Sequence, residues 1–170
     1  MLNLLTLKKI LKAFWTLMIY NACIPHLLLL LSSQVLFQKV GDIAEILGII
    51  EIDRLNLKLP ILSKTTDEFL EIAPCKFYGN ILNGYGNFCI AGHNFNNNEF
   101  FSNLETLEIG NNIKLYNLNG DYIQYEIYNK FETDPSDLSY LNQNNLVKKI
   151  TLITCNNQNK KRLIIQAKEK

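Results

Sequence analysis

Residues 148–155 read KKITLITC and residues 162–168 read RLIIQAK, two runs of β-forming residues on either side of a polar loop. If the two runs pair as antiparallel strands without a bulge, Cys155 lies directly opposite Arg162 and both side chains share one face. The other face is more uniformly apolar and is therefore predicted to point into a core. It consists of Ile150, Leu152, Thr154, Leu163, Ile165 and Ala167. The pairing places the Cys155 thiol away from the core and beside a guanidinium.

The position of Cys155 bears on whether the thiol is structural or reactive. A lone cysteine beside Leu and Ile is more often a buried packing residue than a nucleophile. Here the predicted neighbour favours the second interpretation, because a guanidinium stabilises the reactive thiolate. The planar fork of Arg162 also offers hydrogen-bond donors to a developing oxyanion. Cys155 is therefore a candidate nucleophile, with Arg162 as its electrostatic partner.

The other cysteines and the histidines bear on three possibilities: a disulfide framework, a metal site and a proton donor for Cys155. Cys75, Cys89 and Cys155 are too few and too scattered for a disulfide framework. Cys89 and His93 could contribute to a metal site, but no CxxC pair supports one, so no metal is predicted. His93 is the candidate proton donor, because the second histidine of the chain, His26, lies in the apolar N-terminal segment.

Short β-forming runs recur through the rest of the chain, with turn residues between them. Besides the hairpin they are LGIIEI (47–52), LNLKLPIL (55–62), NFCIA (87–91), NIKLYNL (112–118) and YIQYEIY (122–128). Asn119-Gly120 indicates a hairpin between the last two of these runs. Two short helices are predicted, one capped by Thr65 in a Thr-x-x-Glu box and one after Ser102. So many short strands indicate an all-β domain, either a closed barrel or a sandwich.

A segment without charged residues precedes the β-rich region. Residues 13–37 contain no Asp, Glu, Lys or Arg, and as a helix they are long enough to cross a bilayer. A cleavable signal peptide is the alternative, but no A-x-A-like site follows the Leu run. Lysines 8, 9 and 12 favour a cytoplasmic N-terminus. The predicted organisation is a cytoplasmic N-terminus (1–12), a transmembrane signal anchor (13–37), a short stalk (38–46) and an extracellular catalytic domain (47–170).

The charge distribution argues against a nucleic-acid partner. The formal net charge is +1, and without the three N-terminal lysines 14 basic and 16 acidic residues remain. No basic face is implied by this balance, so binding to nucleic acid is not expected.

Several motifs together resemble the sortases, membrane-anchored cysteine transpeptidases of Gram-positive bacteria. They are AGH (91–93), TLITC (151–155) and Arg162, in that order behind an N-terminal anchor. Further similar stretches are IEIDRLNLKLPIL (50–62), TTDEFLEIAPCKFYG (65–79) and FSNLETLEIGNNI (101–113). The resemblance covers residues 47–168 and implies a closed eight-stranded β-barrel with a substrate groove that ends at Cys155. The loop after Cys155 is short and no acidic cluster suggests calcium, which leaves the subclass open.

The resemblance also implies a function and its partners. The Cys155 thiolate would attack the threonine carbonyl of an LPxTG-like C-terminal sorting signal on a secreted protein. His93 would protonate the leaving amine, Arg162 would stabilise the oxyanion, and an amine such as that of a peptidoglycan precursor would complete the transfer. Thr154 would help to orient the substrate, although it could equally be a β-forming residue at the edge of the core. No cofactor is implied.

Two alternatives remain open. One is a pilin-polymerising sortase, in which a lysine of another pilin supplies the resolving amine. The other is a non-catalytic surface module on a sortase scaffold, against which the presence of His93, Cys155 and Arg162 argues. In each case the chain would be a single-pass protein of the cell membrane with its β-domain outside the cell.

Overall fold

The computed structural model describes residues 44–95, 99–156 and 160–170. The predicted cytoplasmic N-terminus and signal anchor, and the predicted stalk up to residue 43, lie outside these ranges. Among the described residues, no helix combines the length and the apolar character needed to span a bilayer.

Eight strands of the described chain form a closed barrel. They are β1 (Ile46–Ile52), β2 (Leu57–Leu62), β3 (Cys75–Tyr78), β4 (Gly86–Ala91), β5 (Asn112–Tyr116), β6 (Tyr122–Thr133), β7 (Lys148–Cys155) and β8 (Arg162–Glu169). Their order around the barrel is β1-β2-β3-β4-β7-β8-β6-β5, and β5 pairs with β1 to close it. The predicted all-β class is confirmed, and of the two architectures considered the chain adopts the barrel.

The short helices differ in detail from the prediction. The helix α1 spans Asp67–Leu70, and its N-cap is Thr66, whose Oγ1 accepts a hydrogen bond from the Phe69 amide at 3.3 Å. The predicted cap, Thr65, was wrong by one residue, because its hydroxyl instead donates to the Lys76 carbonyl at 2.6 Å. The second predicted helix is a single 3₁₀ turn at residues 104–106, and two more such turns occur at 53–55 and 139–141.

The β5–β6 hairpin is confirmed, and three residues lie between Asn117 and Asp121, whose backbones are hydrogen-bonded across the turn. The Gly120 amide donates to the Asn117 carbonyl at 3.2 Å, and the Asn117 amide donates to the Asp121 carbonyl at 2.8 Å. Gly120 adopts φ +92°, a left-handed conformation that closes the three-residue loop and that glycine adopts at little cost.

The register of the β7–β8 hairpin agrees with the prediction at every pair. Cys155 lies opposite Arg162, Leu152 opposite Ile165 and Ile150 opposite Ala167. The face predicted to point inwards supplies five members of the main hydrophobic core, Ile150, Leu152, Leu163, Ile165 and Ala167. The alternation of side chains along the two strands therefore determines which of them fill the barrel.

The outer face of the hairpin is also covered over part of its length. Ile153 and Ile164 are buried in a second, smaller cluster with Cys89, Ala91 and Tyr140. Tyr140 belongs to the 3₁₀ turn in the connection from β6 to β7, which lies against this side of the barrel. On this face Cys155 is exposed at the loop end of the hairpin, and Lys168 is exposed at the opposite end.

The pairing of β4 with β7 brings two distant parts of the sequence to one end of the barrel. The strands run parallel, from Gly86 opposite Lys148 to Ala91 opposite Ile153. Because parallel strands finish at the same edge, the segment after β4 and the end of β7 are neighbours. His93 and Cys155 lie in these two places.

Candidate active site

The Cys155–Arg162 pair is the centre of the candidate site. Cys155 is the last residue of β7, is exposed, and carries a free thiol. Arg162 is the first residue of β8, directly across the ladder. Its Nε atom is buried and has no hydrogen-bond partner among the described residues. Cys155 and Arg162 are thus cross-strand neighbours at the barrel's end.

The other two cysteines of the described chain have a different environment. Cys75 and Cys89 are fully buried, and burial raises the pKa of each thiol to about 12, although a hydrogen bond with Thr151 acts in the opposite direction on Cys89. At neutral pH such thiols are protonated and out of reach of a substrate. Of the three described cysteines, Cys155 alone is accessible to one.

His93 lies two residues beyond β4 and is partly exposed. Its Nε2 is 3.8 Å from Oε1 of Glu71, the residue that follows α1, so the two form an ion pair when the imidazole is protonated. The ring also packs against Phe95, with ring centroids 4.9 Å apart. Within the described ranges no hydrogen bond joins the imidazole to the Cys155 thiol. The carboxylate of Glu71 was not anticipated, because it lies 22 residues earlier in a different element.

Thr154 is buried rather than open to solvent, with 3% of its surface exposed. Its hydroxyl donates to the carbonyl oxygen of Gly92 at 2.8 Å. Gly92 and Thr154 immediately precede His93 and Cys155, so this bond ties the two chain segments of the site together. The threonine hydroxyl is therefore engaged within the protein.

Asn94 is a further residue of the site that the sequence did not single out. Its Nδ2 donates to the carbonyl oxygen of Cys155 at 3.1 Å. A small pocket beside Cys155 is lined in part by Asn94, Ser102, Glu105 and Leu163. In the described part of the chain, no cluster of three or more His, Cys, Asp or Glu side chains is placed to hold a metal ion.

Comparison of the sequence with known proteins gives consistent matches. The family model for the sortase domain matches residues 50–170. Sortase A of Bacillus anthracis is 30% identical over 115 residues, which are 67% of this chain and 54% of that protein. The chain therefore spans about half the length of this curated relative.

Solved structures of similar fold carry related names. The Sortase D5 transpeptidase of Clostridium perfringens is 38% identical, with a TM-score of 0.68 over 74% of this chain and 79% of that one. The pilus-related Sortase C of Group B Streptococcus is 26% identical, with a TM-score of 0.68 over 76% and 69% of the two chains. The three relatives belong to classes A, D and C, so they leave the subclass open. Because the family model covers well over half of the residues, this chain belongs to the sortase family of cysteine transpeptidases.

Proposed function

We propose that this protein is a transpeptidase that cleaves an LPxTG-like C-terminal sorting signal and joins the released protein to a cell-wall amine. The observation that carries the proposal is the exposed Cys155 thiol directly across the ladder from Arg162, at the end of the barrel where His93 also emerges. Membership of the sortase family supports it. So does the 38% identity to a structure named as a transpeptidase.

In the first step the Cys155 thiolate attacks the carbonyl carbon of the signal's threonine. A carbon–sulfur bond forms and the carbonyl oxygen becomes an oxyanion. Arg162 stabilises this charge, since its guanidinium presents fixed donors and its Nε is already out of water. Burial of that atom restricts the guanidinium and lowers the reorganisation required when the charge appears.

In the second step the carbon–nitrogen bond breaks and the leaving amine takes a proton from the His93 imidazolium. The Glu71 carboxylate, 3.8 Å from Nε2, pairs with this charged form before the transfer. The acyl group is left on Cys155 as a thioester. An incoming amine then attacks the thioester, loses a proton to His93, and releases the thiolate.

Thr154 assists this chemistry from inside the protein. Its hydroxyl holds the Gly92 carbonyl, and so keeps the two residues that precede the proton donor and the nucleophile in register.

The proposed partners are secreted proteins with LPxTG-like signals and an amine acceptor such as a peptidoglycan precursor. The charge-free segment at 13–37 anchors the protein in the cell membrane as a single pass, with the barrel outside the cell. Neither a metal nor a cofactor has a part in these steps.

A pilin-polymerising function is the second candidate, because the pilus-related Sortase C of Group B Streptococcus has a similar structure. The two candidates share the cleavage step and differ in the amine that resolves the thioester. Offering the enzyme a cell-wall peptide amine and a pilin lysine in the same reaction distinguishes them by the mass of the product.

The function is tested by the pH dependence of ligation between an LPxTG-like peptide and an amine acceptor. The rate is expected to rise and then fall with pH, because the reaction needs Cys155 deprotonated and His93 protonated in the same molecule. Substitution His93→Ala is expected to lower the rate about a hundredfold or more, in the range of general acid–base catalysis. No ligated product with any of several signal variants would contradict the function. A rate that rises steadily with pH, together with an active His93→Ala variant, would remove His93 from the mechanism.

A further inference from the structure

The parallel ladder between β4 and β7 is continued by a side chain beyond the end of β4. The last backbone bond of the series runs from the Gly92 amide to the Ile153 carbonyl at 3.0 Å. Since bonds of a parallel ladder recur every two residues, the next one would join residue 94 to the Cys155 carbonyl. The backbone of Asn94 instead forms a bridge with Phe100, and its side-chain Nδ2 reaches the Cys155 carbonyl at 3.1 Å. The side-chain amide of Asn94 thus takes the place of a backbone hydrogen bond to the carbonyl of Cys155.

Two hydrogen bonds to the end of β7 hold the residues on either side of His93, Gly92 and Asn94. Before it, the Gly92 carbonyl accepts a hydrogen bond from Thr154 at 2.8 Å; after it, Asn94 holds Cys155 at 3.1 Å. The His93 carbonyl is itself fixed by the Phe101 amide at 3.1 Å. These hydrogen bonds fix the backbone on both sides of His93, while the contacts of its ring with Glu71 and Phe95 orient the imidazole.

We propose that Asn94 is a positioning residue, which sets the geometry between His93 and Cys155 by holding the end of β7. This inference rests on the proposed function, since it assigns Asn94 a part in the same reaction. The hydrogen bond to the Cys155 carbonyl requires a side-chain donor at this position. Asp has the same shape but would set a carboxylate oxygen against the Cys155 carbonyl, and Ala has no donor at all. A displacement of about 1 Å between reacting groups can cost on the order of a hundredfold in rate.

The test compares Asn94→Ala and Asn94→Asp with the matched control Asn129→Ala in the full chain. Asn129 Nδ2 donates to Gln166 Oε1 at 3.1 Å, a bond from the same donor group and of the same length, but to a side-chain acceptor, between β6 and β8. Peptide cleavage and hydrogen exchange are measured on all four proteins. We expect kcat to fall about tenfold or more in both Asn94 variants, with KM within about twofold of the parent. The peptide covering residues 151–156 should exchange faster in them. Asn129→Ala should leave kcat and the exchange of this peptide unchanged.

The outcomes distinguish a failure of the positioning role of Asn94 from a failure of the proposed function. If kcat and exchange at 151–156 in both Asn94 variants match those of Asn129→Ala, the positioning role is wrong. If exchange accelerates while kcat is retained, the tie exists but does not position the reacting groups, which also overturns the inference. If the parent itself cleaves no LPxTG-like peptide, the proposed function fails, and the positioning role in its reaction fails with it. The exchange data then show only whether the hydrogen bond from Asn94 to the Cys155 carbonyl stabilises residues 151–156.

Discussion

Replacement of Cys155 by alanine is expected to reduce cleavage of an LPxTG-like peptide to the rate measured without enzyme. The thioester cannot form without this sulfur, and neither of the other described thiols can substitute for it. Cys75 and Cys89 are fully buried, and burial raises the pKa of each to about 12. The measurement is a fluorogenic cleavage assay, with product release followed over hours.

The matched control for this variant is Cys75→Ala. Cys75 is buried in the barrel wall, and its Sγ contacts the Ala73 carbonyl at 3.3 Å, so its loss affects packing and leaves the chemistry intact. We expect Cys75→Ala to retain most of the parent activity at a temperature where it is folded. Equal rates for Cys155→Ala and the parent would exclude Cys155 as the nucleophile.

Arginine 162 is expected to show the second large effect. A donor to an oxyanion commonly contributes about 2.7–4 kcal/mol, so Arg162→Ala should lower turnover roughly a hundredfold or more. Arg162→Lys should restore only part of this loss, because an ammonium lacks the planar fork of donors. The measurement is kcat for peptide cleavage at saturating substrate.

The neighbouring lysines provide the control for charge alone. Lys161 is exposed, and its carbonyl accepts the Asn156 amide at 2.8 Å in the loop closure. Lys160 lies in the loop with φ +59°. Neither is paired with Cys155, so Lys160→Ala and Lys161→Ala should stay within a few-fold of the parent. A crippled Lys161→Ala beside a mild Arg162→Ala would show that Lys161 is the electrostatic partner of the thiol.

The hairpin register could be predicted from sequence because the alternation of apolar residues is clear in both strands and the strands are long. Residues alternate between apolar and mixed faces in both strands, and a shift of one position would turn Leu152 and Ile165 out of the core. Each strand is eight residues long, which gives the pattern enough repeats to be recognised. The barrel itself followed from the resemblance, since the β-forming runs alone left a sandwich open.

Strand β3 was missed because its four residues carry no recognisable pattern. In CKFY (75–78) only Cys75 is buried, and the following three residues are partly or fully exposed. The strand is held by its neighbours: it pairs with β4 through an irregular register and with β2 through a single rung, Leu62 to Cys75. Tertiary pairing of this kind outweighs local propensity and cannot be inferred from the segment alone.

The pairing of Cys155 with Arg162 could be predicted from sequence, whereas the contacts that other elements make around them could not. Cys155 and Arg162 follow from the hairpin, which is a short-range structure. Glu71 and Asn94 contact the site from a helix end and an irregular segment, where no periodicity indicates which way a side chain points. The burial of Thr154 against Gly92 likewise depends on the parallel pairing of two strands more than 60 positions apart.

The mass of the intact protein during turnover tests the central claim most directly. After mixing with an LPxTG-like peptide in the absence of an amine acceptor, the protein should gain the mass of the acyl fragment as a thioester. Proteolytic mapping should place this adduct on Cys155 and on neither Cys75 nor Cys89, and addition of an acceptor amine should remove it. Cleavage of the peptide with no adduct at Cys155, or an adduct that no amine can displace, would contradict the account.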